Sequence, residues 1–244
     1  VIGRARLSSG EHVLDIGCGT GALSVKAAEE VGPTGRLLAC DISEPLLTRA
    51  AHRLSPFPQA AVLLGDAATL DWPEPGFDVA LSRFGVMFFA DPPSAFANIA
   101  RALKPGGRVV FAAWAPAREN PYWSIPAKRA RDRLGQPPRT LQDTPGPMGL
   151  ADLGLALSRL RQGGLSDVTG EVVEVLLRLR GGAAAAADLV TQLGPASRAL
   201  TFFNAGEADR QVIAAEITDD FAQYEVGDEV AIPAKINLLT AIVA

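Results

Sequence analysis

Short apolar runs alternate with longer amphipathic segments over the first half of the chain. The amphipathic segments place apolar residues three and four positions apart, which is typical of one face of a helix. Continuous apolar runs are typical of strands that are buried on both faces of a parallel sheet and joined by helical crossovers. The pattern predicts a doubly wound, mostly parallel sheet with strands at 13–16, 36–41, 61–64, 77–82 and 108–114 and helices at 22–31, from Ser43 to about 54 and from Asp91 to about 103.

The pattern changes after Trp114, where residues 115–150 are rich in Pro, Gly and Arg. The elements predicted beyond Trp114 are a helix at about 125–134, a helix from Asp152 to Gly163, a strand at 171–180, helices at 183–193 and 207–224 within an insertion at 181–228, and a last strand at 234–243. We therefore predict a cofactor-binding α/β core with the start of the substrate region at 1–150. Residues 151–244 form a C-terminal half that completes the sheet and carries the helical insertion.

A strand, a tight turn and a helix start follow one another around three alternating glycines, Gly17, Gly19 and Gly21. Glycine allows the backbone to turn sharply and a ligand to lie against it, and the open amides of the helix start can receive a negative group. Asp41 ends the second strand, 20 residues after Gly21. An acid at this spacing accepts hydrogen bonds from ribose hydroxyls, which indicates a nucleoside-containing cofactor.

Two further carboxylates indicate which kind of nucleoside. Asp15 lies inside the first strand and needs donors because it is buried there, and Asp66 follows the third strand. The glycines do not follow the G-x-G-x-x-G spacing of a dinucleotide site, although Ala22 in the third-glycine position is tolerated. The turn contains no Lys or Arg, so the site suits a cationic, phosphate-free cofactor better than a pyrophosphate.

Five motifs in order resemble those of class I S-adenosylmethionine-dependent methyltransferases, and more narrowly the small-molecule branch that includes the ubiquinone and menaquinone biosynthesis methyltransferases. They are Val13–Gly21, Asp41, Gly65–Ala67, Phe77–Val79 and Leu103–Arg108. The resemblance implies a Rossmann-like sheet of seven strands with an antiparallel edge and a helical cap between the last two strands. It also implies that S-adenosyl-L-methionine is the cofactor and that a methyl group is transferred to a small, apolar or aromatic acceptor.

The resemblance assigns roles to residues at the strand ends. The methionine end of the cofactor would be held by Asp15, Gly17, Cys18, Gly19 and Gly21, the nucleoside by Asp41, Ile42, Asp66 and Ala67, and the region where methyl group and acceptor meet by Arg83 and Phe84. Aromatic and polar residues that suit a flat or apolar acceptor form the candidate substrate site, namely Phe88, Phe89, Trp114, Asn120, Tyr122 and Trp123. Each of these could equally fill the core.

No catalytic base stands out. His12 precedes the first strand, far from its carboxyl end, and His52 lies in the second predicted helix. Methyl transfer from a sulfonium is intrinsically favourable, so alignment of the reactants and exclusion of water can suffice. Two alternatives stay open: a non-catalytic S-adenosylmethionine-binding protein and, less favoured, a nicotinamide-dependent oxidoreductase. The second usually needs a Tyr-x-x-x-Lys pair, but Pro126 follows Tyr122 and Asp228 follows Tyr224 at that spacing.

Charge and composition limit the classes of partner that this chain is expected to have. A net charge of −4, a pI near 5.3 and the lack of a basic stripe argue against nucleic acid as a partner. No run is apolar and long enough to span a bilayer, and no signal-peptide pattern opens the chain. Cys18 and Cys40 lack metal-ligand spacing and are expected to be reduced and half-buried in a cytoplasmic protein. We expect a small-molecule substrate, no metal and a possible homodimer.

Overall fold

The computed structural model of the protein describes residues 1–72, 76–138 and 144–244. Of the predicted segment 115–150, residues 139–143 lie outside the described residues. The strands are β1 (His12–Ile16), β2 (Arg36–Asp41), β3 (Ala60–Leu64), β4 (Phe77–Arg83), β5 (Leu103–Trp114), β6 (Leu165–Arg180), β7 (Glu225–Val226) and β8 (Glu229–Val243). The helices are α1 (Ile2–Ala5), α2 (Ala22–Val31), α3 (Glu44–Leu54), α4 (Pro92–Ala102), α5 (Pro121–Leu134), α6 (Leu153–Gln162), α7 (Gly182–Gln192), α8 (Gly194–Phe202) and α9 (Glu207–Ala222).

The chain divides into two compact units. The first comprises residues 1–114, 143–172 and 237–244, and the second comprises residues 115–142 and 173–236. Each unit is discontinuous because the long strands β6 and β8 run from one unit into the other. These units do not coincide with the predicted segments 1–150 and 151–244, whose roles as cofactor-binding core and C-terminal half stay a prediction.

The sheet of the first unit has the strand order β3-β2-β1-β4-β5-β8-β6. The pairs from β3 to β5 are parallel, as the alternation of strands and helices predicts. β8 and β6 form an antiparallel edge, since the Ser166 hydroxyl donates to the Ile242 carbonyl while Thr169 and Thr240 share a hydrogen bond. The prediction of a mostly parallel Rossmann-like sheet with an antiparallel edge is confirmed. The two-residue β7, which pairs with β8, is an additional strand.

The core of the first unit packs apolar side chains of the central strands against the flanking helices. Leu14, Leu37 and Leu81 are fully buried in β1, β2 and β4. Between helix and sheet, the ring of Phe96 in α4 stacks on the ring of Phe111 in β5, with centroids 5.9 Å apart. Burying a large apolar side chain stabilises the fold by roughly 1.5–3 kcal/mol. This core fixes the strand ends that carry the candidate site.

Several element boundaries differ from the predictions. β6 begins at Leu165 rather than residue 171, because polar side chains on this edge strand hide the apolar alternation. A short 3-10 helix at Val86–Phe88, for which no element was predicted, follows β4. Ser43 precedes α3 but its side chain makes no capping hydrogen bond. α8 was not predicted, since Gly194 and Pro195 read as a loop although proline suits the first turn of a helix.

The second unit contains α5, α7, α8 and α9. The Arg129 guanidinium of α5 donates to both carboxylate oxygens of Asp220 in α9 at 2.6 and 2.7 Å, and this contact holds the pKa of Asp220 below its usual value. The helical insertion between the last two long strands is thus present as α7–α9, whereas its action as a cap over the substrate remains a prediction. In the described part of the chain, no helix has both the length and the apolar character needed to cross a membrane.

Candidate functional site

The carboxyl ends of β1–β4 border a cavity of about 640 Å³ within the first unit. Ligands of open α/β sheets bind at the carboxyl edge, where the strand order reverses, and here that point lies between β1 and β4. Sequence-predicted site residues that line this cavity are Gly17, Gly19, Asp41, Ile42, Asp66, Ala67, Phe84, Phe88 and Phe89. The fold therefore gathers residues from four separate strand ends around one space.

The turn after β1 is fixed by a close approach between two backbones. A Cβ at Gly17 would lie 2.6 Å from the Gly85 Cα, and a Cβ at Gly85 would lie 2.6 Å from the Ile16 carbonyl oxygen. The Ser82 hydroxyl donates to the Ile16 carbonyl at 2.8 Å and accepts from the Gly85 N–H at 3.2 Å. The glycine turn and the segment after β4 consequently hold one another in place.

Gly19 differs from Gly17 in what surrounds it. Its φ of 56° is in the left-handed region, but a Cβ built there would meet no atom within 4 Å. Since Gly19 lines the cavity, the open space beside it belongs to the site. The missing side chain thus leaves a cradle in which a ligand can approach the backbone.

Asp41 at the end of β2 is already ordered by backbone donors. The Gly19 N–H donates to its Oδ2 at 2.7 Å, and the Ser43 N–H donates to its Oδ1 at 2.8 Å. A carboxylate has about four acceptor positions, so capacity remains for two more hydrogen bonds. The carboxylate is therefore held in a fixed orientation at the cavity wall.

The loop after β3, which carries Asp66 and Ala67, is braced by α4. The buried Asn98 amide donates to the carbonyls of Ala67 and Leu70 at 3.0 and 2.9 Å. The Trp72 indole N–H donates to the Asn98 carbonyl at 2.9 Å. Asp66 itself is exposed, and its Oδ1 accepts from a backbone N–H in the same loop at 2.9 Å. Asn98 thus sets the position of the loop without lining the cavity.

Asp15 in β1 is fully buried and is not part of the cavity wall. The Ser24 hydroxyl donates to its Oδ2 at 2.6 Å, while its Oδ1 has no hydrogen-bond partner among the described residues. Burial raises the pKa of Asp15 to about 7, against the lowering effects of the Ser24 hydrogen bond and the Arg83 charge. A buried acceptor oxygen of this kind needs a donor.

Phe84 begins the segment after β4 in an unusual conformation. Its φ is 66°, in the left-handed region that bulky residues rarely adopt. Its ring stacks on the ring of Trp114, with centroids 4.7 Å apart and planes 11° apart. Trp114 is buried behind this ring, and the neighbouring Arg83 is exposed. Of these three predicted residues, Phe84 alone is in the wall of the cavity.

Cys18 and Gly21 support the turn from outside the cavity wall. Burial raises the pKa of both cysteine thiols, to about 12 for Cys40, and nearby carboxylates such as Asp41 add to the shift. Both cysteines are free and buried rather than half-buried, because the strand ends cover them. A Cβ at Gly21 would lie 3.1 Å from the Ala50 Cα, so Gly21 allows α3 to pack closely.

Three predicted substrate residues belong to the second unit. The buried Asn120 amide donates to the carbonyls of Ala115 and Pro116 and accepts from the Lys235 N–H at 2.8 Å. Tyr122 and Trp123 are buried and pack edge to face with centroids 4.8 Å apart. Their assignment to the substrate site stays a prediction.

Sequence reasoning missed three residues that position the site. Gly85, Ser82 and Asn98 hold the turn and the loops, although none of them belongs to the five motifs used above. The signals available were a glycine just beyond a strand and polar residues inside an apolar strand and an apolar helix face. Such residues indicate close backbone approach or a buried hydrogen bond.

The cavity wall is acidic and apolar. Among the described residues its titratable side chains are the carboxylates of Asp41, Asp66 and Asp91 and the thiol of Cys40, without any Lys, Arg or His. Nor does the described part of the chain hold a cluster of His, Cys, Asp and Glu that could bind a metal ion. A positively charged or neutral ligand suits this wall better than an anionic one.

Fold and cavity together are those of an α/β protein with a ligand site at the carboxyl edge of its sheet, and comparison with known proteins narrows the class further. Residues 13–107 match the family model described as a methyltransferase domain. A ubiquinone/menaquinone biosynthesis C-methyltransferase of Cupriavidus metallidurans is 30% identical over 179 residues, which cover 68% of this chain and 72% of that protein. The chain therefore belongs to the class I S-adenosylmethionine-dependent methyltransferases, the family that the ordered motifs indicated.

Other relatives are matched over a shorter length. The nocamycin O-methyltransferase of Saccharothrix syringae is 35% identical over 118 residues, which cover 48% of this chain and 42% of that protein. The chain thus spans less than half the length of this curated relative. Among solved structures, the YcgJ protein of Bacillus subtilis has a TM-score of 0.59 at 18% identity, covering 99% of this chain and 95% of its own. The [4+2]-cyclase SpnF has a TM-score of 0.56 at 20% identity, covering 99% and 78%. These likenesses show the fold.

Proposed function

We propose that this chain is an enzyme that transfers a methyl group from S-adenosyl-L-methionine to a small, apolar or aromatic acceptor. The observation that carries the proposal is the convergence of Gly19, Asp41 and Asp66 on one cavity at the carboxyl ends of the strands. When bound there, the cofactor supplies an electrophilic methyl group on a sulfonium.

Several of the residues present fit this cofactor. Asp41 has spare acceptor capacity for both ribose hydroxyls, and Asp66 can accept from the adenine amino group while Ile42 packs on the ring. The open side of Gly19 admits the ligand to the backbone. The unpartnered Oδ1 of the buried Asp15 supports a role as acceptor for the ammonium group of the methionine end. The absence of basic side chains from the described wall suits a cation without phosphate.

The proposed catalysis consists of positioning. The described residues of the wall offer no imidazole or amine that could act as a base, so a phenol or enol acceptor would have to release its proton elsewhere. The rings of Phe84, Phe88 and Phe89 give the wall the apolar character that suits a flat acceptor. Holding acceptor, methyl and sulfur in line and excluding water can supply several kcal/mol of the barrier, roughly 7–11 kcal/mol in well-aligned systems.

A second candidate is binding of the cofactor without methyl transfer. It is kept as an alternative because the fold is shared with SpnF, a protein named as a [4+2]-cyclase and not as a methyltransferase. One fold can serve unrelated chemistries, so the fold does not decide between the two. The acceptor and the fate of the methyl group distinguish them.

Two measurements test the proposal in sequence. Calorimetric titration with S-adenosylmethionine is expected to give saturable binding, and absence of heat at high micromolar cofactor would contradict it. Incubation with methyl-labelled cofactor and a panel of phenols, quinols and amines is then expected to transfer label to an acceptor. Binding without any transfer across the panel would favour the second candidate.

The ionised carboxylate of Asp15 is proposed to favour cofactor binding, but the same charge destabilises the fold. The folded chain keeps a proton on Asp15 up to about pH 7, whereas the unfolded chain releases it near 3.8, so raising pH through this window destabilises the fold. We expect Asp15→Asn to be more stable than wild type at pH 7.5, by an amount that shrinks towards pH 4 at roughly 1.4 kcal/mol per unit. Chemical denaturation of both proteins across pH measures this difference.

The same variant is expected to bind the cofactor about tenfold or more weakly, because the carboxylate that would receive the ammonium is lost. Calorimetry at pH 7.5 provides the second measurement. A stability difference that does not change between pH 4 and 7.5 would contradict the raised pKa. Unchanged affinity would remove Asp15 from the proposed site.

Location and partners complete the proposal. The two free, buried cysteines and the pI near 5.3 support a cytoplasmic protein that acts on a small molecule and not on nucleic acid. A homodimer is compatible with this proposal and is tested by sedimentation.

A further inference from the structure

Phe84 stands out among the residues with positive φ. Within the described residues the other non-glycine examples are Arg6, Asp167 and Asn204, none of which lines the cavity. Asn and Asp tolerate this conformation, whereas a bulky aromatic residue adopts it only where its surroundings impose it. Backbone strain at the wall of a cavity points to a role for the side chain that is held there.

Contacts of its own backbone, of the next residue and of a neighbouring ring hold Phe84 in this conformation. Its N–H donates to the Ala112 carbonyl at 2.9 Å, and the next residue, Gly85, is locked against Gly17 by the approach described above. Trp114 covers one face of the ring, and the Trp114 N–H in turn donates to the Met87 sulfur at 3.3 Å. The ring is half-buried and lines the cavity, so its uncovered side faces the ligand space.

The order of the strands gives the position of Phe84 along a bound cofactor. The proposed nucleoside anchors follow β3 and β2, then come β1 and β4. The sulfonium is joined to the ribose by a single methylene, and neighbouring strands are about 5 Å apart. A ribose held by Asp41 therefore places the sulfonium over β1, beside the segment after β4 that begins with Phe84.

The three carboxylates of the wall, Asp41, Asp66 and Asp91, each accept at least one hydrogen bond from the protein. Asp41 accepts two backbone N–H groups and is proposed to take the ribose, and Asp91 accepts the N–H and hydroxyl of Ser94 at the start of α4. The aromatic face of Phe84 is a further feature beside the predicted sulfonium position that attracts a cation. The negative face of a ring attracts a positive charge within about 6 Å.

We propose that the uncovered face of Phe84 binds the positively charged sulfonium of S-adenosylmethionine. Phe84 thereby favours the methyl-bearing cofactor over the neutral thioether product, S-adenosylhomocysteine. This inference rests on the proposed function, because it requires the cofactor to occupy the cavity. The strained backbone and the Trp114 stack keep the ring from moving away when the charge disappears.

The experiment compares the two ligands in wild type, Phe84→Leu and Phe84→Tyr by calorimetry. The leucine variant keeps an apolar side chain but loses the aromatic face, whereas tyrosine keeps the face. We expect the ratio of dissociation constants, S-adenosylmethionine over S-adenosylhomocysteine, to rise about 3- to 30-fold in Phe84→Leu. In Phe84→Tyr the ratio is expected to stay within about twofold of wild type, because the tyrosine ring also presents an aromatic face to the cation.

Binding of S-adenosylhomocysteine to each variant reports that the variant is folded. Equal weakening of both ligands in Phe84→Leu would overturn the proposal, since a general packing role does not distinguish charge. If the wild type bound neither ligand, the proposed function itself would fail. A variant that bound neither, with a circular dichroism spectrum like wild type, would also overturn selective sulfonium binding.

Discussion

Replacing Asp41 by alanine is expected to weaken S-adenosylmethionine binding by at least about 100-fold. The carboxylate would lose two ribose hydrogen bonds, and each bond to a charged group contributes about 1.5–3 kcal/mol, where 1.4 kcal/mol is a factor of ten. The variant also loses the hydrogen bonds that fix the backbone beside the cavity, because the Gly19 and Ser43 N–H groups donate to the same carboxylate. Calorimetry of the purified variant measures the change in affinity.

Asp78 provides a matched control for this variant. Its carboxylate also accepts a backbone N–H, from His12 at 2.9 Å, and in addition the Lys104 ammonium, but it is not part of the cavity wall. We expect Asp78→Ala to lower the melting temperature by a few degrees, about 2–4 °C for each kcal/mol lost, and to leave cofactor affinity within about twofold of wild type. Equal affinities in the Asp41 and Asp78 variants would show that the nucleoside binds elsewhere.

The strand ends that build the site could be predicted because each is marked by local sequence. An apolar run followed by Gly17, Asp41 or Asp66 reads as a strand that stops at a polar residue, and parallel strands bring such residues to one edge. These three residues indeed share one cavity wall. The position of these residues follows from the local sequence of each strand and does not depend on the packing of the helices.

The residues that hold the site could not be predicted in this way. Gly85 matters because its Cα lies against Gly17, and Asn98 because its amide reaches two carbonyls in a loop about 30 positions earlier in the chain. Contacts between residues far apart in sequence depend on the packed fold, which periodicity does not encode. A glycine or asparagine read in isolation is compatible with many roles.

Burial also separates residues that the sequence grouped together. Asp15 and Asp41 both looked like ligands for a cation, yet Asp15 is fully buried with a raised pKa whereas Asp41 lies at the cavity wall between two backbone donors. Trp114, a candidate substrate residue that could equally fill the core, stacks on Phe84 and is not part of the cavity wall, and its contact with substrate stays a prediction. Sequence position gives the strand end, while packing decides which side chain faces the ligand.

Replacement of the turn glycines by alanine is expected to have two different effects: Gly17→Ala lowers stability, whereas Gly19→Ala mainly weakens cofactor binding. In Gly17→Ala the new Cβ would lie 2.6 Å from the Gly85 Cα, and backbone atoms there cannot move aside cheaply. Overpacking costs about 1–3 kcal/mol and a left-handed alanine about 1–2 kcal/mol more. We therefore expect a fall in melting temperature of roughly 5–20 °C by calorimetric scanning.

Gly19→Ala meets no atom within 4 Å, so its cost to the free protein is the left-handed backbone alone. The added methyl group would project into the proposed cofactor space, and we expect about 10- to 100-fold weaker binding from overpacking. Gly106 is the matched control, because its φ of 76° is also left-handed and its surroundings are equally open, yet it lies outside the cavity wall. Gly106→Ala should lose similar stability and keep full affinity. If the Gly19 and Gly106 variants bound the cofactor equally well, the cofactor would not lie against the turn, and the strand ends would have to serve another ligand.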